Sequence, residues 1–112
     1  MSRATPLLAL LLLTAQAATA DAARDYVKLV GANDAYCVAL PGQMRQVVNT
    51  HKARAIEVSL ERRMGETMQP GRMVEIARPG GKPIDLGCTR IIGGYAQSWV
   101  VIVAEFAADT RR

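Results

Sequence analysis

The stretch RAIEVSLER, residues 54–62, alternates apolar Ile56, Val58 and Leu60 with polar Glu57, Ser59 and Glu61. Successive side chains of a strand point to opposite faces, so a period of two gives one oily side and one wet side. A helix would need apolar residues three and four apart. Weaker runs of the same kind occur at DYVKLVG (25–31), YCVAL (36–40), QVVN (46–49) and MVEIAR (73–78). In the last, Val74 and Ile76 read as the inner pair and Glu75 as the outer residue. Turn chemistry separates the runs at LPGQ, QPGR, RPGGKP and IIGGY, where Pro presets φ and Gly supplies φ > 0. Short strands punctuated this often imply an all-β antiparallel sandwich, with a five- or six-stranded barrel as the alternative.

The final segments can be placed in register. If Gly93-Gly94 makes a two-residue turn, Ile92 faces Tyr95, Cys88 faces Trp99, Leu86 faces Val101 and Ile84 faces Val103. One face of that hairpin is then wholly apolar, and Cys88 points inward beside the sole tryptophan. VVIVA, residues 100–104, is apolar on both parities, which fits a strand covered on both sides or a surface facing a partner.

Residues 1–20, MSRATPLLALLLLTAQAATA, have the parts of a secretory leader in order: a positive charge at Arg3, an apolar run from Leu7 to Leu13, then small residues up to Ala20. The apolar run is far short of the roughly 20 residues a spanning helix needs, so the expectation is export without an anchor. Cleavage after Ala20 leaves one β-domain, residues 21–112, in the periplasm or outside the cell. It carries thirteen basic and ten acidic residues, a net charge of +3. That excess is too small and too scattered for a nucleic-acid-binding signature.

Export bears on the two cysteines, Cys37 and Cys88. There is no C-x-x-C pair, and His51, the single histidine, has no Cys or His near it, so no zinc site is legible and no metal or cofactor is expected. An even cysteine number in a small exported chain implies a disulfide, Cys37–Cys88. Free thiols, or a redox or metal role, are the alternatives.

A tryptophan beside such a bridge, with the progression VVNTHKARAIEVSL, MQPGRMVEI and IDLGC, resembles small exported bacterial immunoglobulin-like sandwiches. The resemblance implies architecture and carries over no site residue. Trp99 also follows both cysteines, whereas in antibody domains it lies between them.

Nothing in the chain assembles chemistry, and the expectation is no enzyme. His51 reads as an exposed loop residue; as a base it would need a nucleophile, and Thr50 and Ser59 sit in no nucleophile setting. Glu57 and Glu61 lie about 13 Å apart along a strand, too far for a glycosidase pair. RPGGKP lacks the phosphate-loop spacing. Lys52, Arg54, Arg62, Arg63, Arg72 and Arg78, with Lys82, fall at strand ends and turns and could line a basic rim, or simply protect edges. The functional expectation is a non-enzymatic exported protein that binds another protein of the cell envelope, as inhibitors and immunity-type proteins do. An accessory that binds an anionic surface or polymer through the rim is the alternative, with a small hydrolase using His51 behind both.

Overall fold

The computed structural model describes residues 22–108; the expected leader lies outside them. A 3-10 turn, Ala23–Tyr26, leads into β1 (Val27–Ala32), a short helix α1 (Ala35–Ala39), β2 (Met44–Asn49), β3 (Ile56–Met64), β4 (Thr67–Met68), β5 (Met73–Ala77), β6 (Ile84–Cys88) and β7 (Gln97–Phe106). Every strand pairing is antiparallel, in two sheets. The first has the order β1-β2-β6. In the second, β7 runs along one edge of β3 for its whole length, and β4 and β5 share the other edge.

The alternation in β3 does what its period requires. Ile56, Val58 and Leu60 have no exposed surface, and Glu57 lies on the open side. Each such side chain contributes about 1.5–3 kcal/mol on full burial. Val47 of the first sheet and Ala77 and Trp99 of the second join the same cluster, with Leu29, Ile84 and Leu86 packed against it. Both sheets therefore turn one face to a common core.

Three expectations need correction. YCVAL is not a strand. Asp34 caps a helix there, its carboxylate accepting from the N–H groups of Tyr36 and Cys37 at 3.0 and 3.2 Å. The N–H of Gly42 donates to the Cys37 carbonyl and closes it. Five residues are too few for helical spacing to show in a sequence.

The parity of β5 is the reverse of that expected. Val74 pairs with Ser59 and Ile76 with Glu57, so both point away from the core. Met73 and Ala77 pair with Leu60 and Ile56 and point inward, with Glu75 on the same side. Ala77 is fully buried, and Glu75 sits on an outer strand where its carboxylate can reach water.

The last hairpin exists only at its tip. Arg90 bridges to Ala96, and the Gln97 N–H donates to the Thr89 carbonyl, one residue out of the expected register. Beyond it the strands part: β6 pairs with β2 in the first sheet, and β7 with β3 in the second. Trp99 is thus a cross-strand partner of Arg62 rather than of Cys88. Its indole lies against Gly87, where a Cβ would sit 3.1 Å from the ring and where φ is 149°. Only glycine suits that close approach and backbone. A bulge in β7 between the Val101 and Val103 pairings changes its parity, turning Val103 outward and Ala104 and Phe106 toward the core. That slip puts inward residues, Val101 and Ala104, on both parities of VVIVA, while Val100 and Val103 face outward.

Candidate functional site

The Cys37–Cys88 disulfide is present, with 5.2 Å between the Cα atoms. It does not join the two sheets: it ties α1, inserted between β1 and β2, to the end of β6, all within the first sheet. Around it the chain is held closely. The Gln43 N–H donates to Thr89 Oγ1 and the Thr89 N–H to the Gln43 carbonyl, at 3.0 and 2.8 Å. Gly42 packs so tightly here that a Cβ would lie 2.7 Å from Thr89 Oγ1.

Between α1 and the 90–96 tip this clamp leaves an open cleft of about 450 Å³. Tyr36, Leu40, Met44, Ile91 and Ile92 line it, with Gly87 and Cys88 also contributing. Arg90 is its one charged lining residue, and that guanidinium donates to the Gly94 carbonyl. Four of the nine large hydrophobic residues exposed in the described chain lie on α1 and the tip: Tyr36, Val38, Ile92 and Tyr95. Ile92 is 76% and Tyr95 63% exposed. Aromatic and aliphatic groups presented on a rigid frame, with an arginine among them, are the chemistry of protein-recognition surfaces. In the sequence only IIGGY hinted at this, two large residues flanking a turn that need not bury them.

The six basic residues of the expected rim fall at two places. Lys52, Arg54 and Arg78 lie where β3 begins and β5 ends; Arg62, Arg63 and Arg72 lie where β3 ends and β5 begins. Three are engaged internally. Arg54 sits 4.0 Å over the Phe106 ring, Arg72 pairs with Glu61 at 3.5 Å, and Arg62 donates to Gln97 Oε1 at 2.7 Å. Gln97, itself buried, passes that contact on by donating to the Cys88 carbonyl.

His51 is half-buried rather than exposed, because its ring meets Tyr26 and Phe106 edge-on at 4.6 and 5.3 Å. Its Nδ1 accepts from the N–H groups of Ala53 and Arg54, so that nitrogen organises the β2–β3 loop. Thr50 Oγ1 donates to the Tyr26 carbonyl, and Ser59 lies on the outer face of β3. The three do not assemble a catalytic group. Among the described residues no three His, Cys, Asp or Glu side chains cluster as metal ligands would, and no helix is long and apolar enough to cross a membrane.

The residue that sequence reasoning missed is Asn49, fully buried at the end of β2. Its Nδ2 donates to the carbonyls of Arg54 and Ala77, and its Oδ1 accepts from the His51 N–H. No protein-family model matches the chain, and no curated protein or solved structure matches it either.

Proposed function

We propose that the chain is a non-enzymatic exported binding protein of the cell envelope, of the inhibitor or immunity type, built as an immunoglobulin-like sandwich. It takes hold of another protein with the end that carries the disulfide. One observation carries the reading: Tyr36, Ile92 and Tyr95 stand exposed around an apolar cleft whose walls are covalently joined. A fixed frame lowers the ordering cost of binding, and exposed aromatic anchors supply its energy. The leader-like first twenty residues and the disulfide support export. Two antiparallel sheets around one core support the sandwich.

The test is affinity capture from the native envelope fraction with the oxidised protein as bait. A partner retained by the unaltered chain is expected to be lost with a Tyr36→Ala, Ile92→Asp double variant. It should survive Lys52→Glu combined with Arg78→Glu. Capture that ignores the apolar substitutions overturns this reading. Release by moderate salt together with loss on the charge reversals would instead support binding of an anionic polymer through the basic residues.

A further inference from the structure

The face of the second sheet turned away from the core carries a pattern that packing within the chain does not use. Successive rows cross its strands. Arg63 lies opposite Ser98; Glu61 lies opposite Val100 and is paired with Arg72; Ser59 lies between Val74 and Val103; Glu57 lies between Ile76 and Glu105. On the strands that flank β3 the face is apolar and open, with Val74 54%, Ile76 44% and Val103 38% exposed. The ends differ in charge, Arg63 at one and the Glu57–Glu105 pair at the other. Like charges directly opposite across two strands are destabilising, and among the described residues no cation pairs with either carboxylate.

We propose that this face binds a second copy of the chain, sheet on sheet, about a two-fold axis crossing the strands between Ser59 and Glu61. Such a rotation reverses strand direction. It brings Arg63 of each copy over Glu57 and Glu105 of the other, and Val100 of each over Val103 of the other. The charged ends and the β7 valines are therefore self-complementary, as an isologous interface must be, while Arg72 of each copy comes over Val74 of the other. The carboxylate pair, a liability in a single chain, becomes the socket for an arginine. The small Ser59 side chain keeps the centre of the face low enough for the two sheets to meet. The face, rather than the strand edge, is the available surface on the β7 side, because Arg24 donates to the Val101 and Ile102 carbonyls at the bulge and sets a charge on that outermost strand.

Four rows over three strands cover about 20 by 15 Å, on the order of 300 Å² per copy, against about 800 Å² in a standard interface. The association is accordingly weak and dependent on concentration.

Sedimentation equilibrium of the oxidised protein between 10 μM and 1 mM tests it, with circular dichroism to establish that each variant is folded. A monomer–dimer equilibrium is expected. Arg63→Glu should raise the dissociation constant at least tenfold, and so should the double variant Glu57→Arg, Glu105→Arg. Mixing those two variants should restore dimer, because both ends of the mixed interface regain opposite charges. A chain that stays monomeric to 1 mM overturns the proposal. So does a dimer indifferent to both variants, or a mixture that fails to recover.

Discussion

Asn49 has almost no signature of its own in the sequence, because an asparagine after a strand reads as an ordinary turn residue. Folding takes it to zero exposure and gives it three hydrogen bonds, which join the end of β2 to the β2–β3 loop and to the end of β5. An amide with two donors and one acceptor is the one side chain that matches two carbonyls and an N–H there. Asn49→Leu keeps the branching of the side chain but strands those three backbone groups in a site that water reaches poorly. Each orphaned group costs about 1–3 kcal/mol when buried, and two of the three are only partly so, which gives a loss of about 2–4 kcal/mol. Urea unfolding should show the midpoint falling with an unchanged slope; a loss below about 1 kcal/mol would mean the network is dispensable. Arg62 teaches the same lesson from the other side. By charge it belongs with Arg63, yet it points inward to Gln97 while Arg63 points out, because neighbours on a strand face opposite ways.

At the scale of elements, legibility followed the strength of alternation. β3 presents three large apolar residues on one parity and polar ones on the other, and its buried face was plain. β5 presents Val74 and Ile76 on one parity, with Met73 and Ala77 on the other; judged by hydrophobicity over three residues, the wrong face won. Its partner β3 sets the register, and that information lies outside the segment. α1 is hidden by its length, since five residues are too few for helical spacing to show. The parting of β6 and β7 could not be read from a turn dipeptide, since the turn fixes only the tip. Gly87, whose missing side chain admits the indole of Trp99, lies at the end of β6 where the two strands part. Gly87→Ala should therefore be costly twice over, through φ and through the 3.1 Å approach to the ring. The expected loss is about 2 kcal/mol or more, with a red-shifted tryptophan emission as Trp99, 6% exposed in the folded chain, is pushed toward water. An emission spectrum identical to that of the unaltered protein would mean the ring has another way to fit.

For the whole molecule, the disulfide sets which part is secure and which depends on it. It spans 51 residues, and closing a loop of that size in the unfolded chain contributes about 4 kcal/mol on the loop-entropy account. That figure applies to global unfolding, but the bond's position gives it a local effect as well. β3 lies inside its sheet, paired on both edges and buried on its inner face, so it keeps its partners when the bond is cut. α1 is five residues long, too short to persist alone, and apart from its cap it is tied to the first sheet through Cys37 and the Gln43–Thr89 clamp. Reduction should consequently lower the melting temperature and also free the apolar end first. Hydrogen exchange on the reduced protein, under conditions where it remains folded, should show amides of residues 35–43 and 88–96 losing protection by tenfold or more while those of β3 change little. Uniform loss over the whole chain would make the bond a purely global staple. Selective loss would tie the integrity of the cleft to an oxidising compartment, since only there would Tyr36 and Ile92 be held on facing walls.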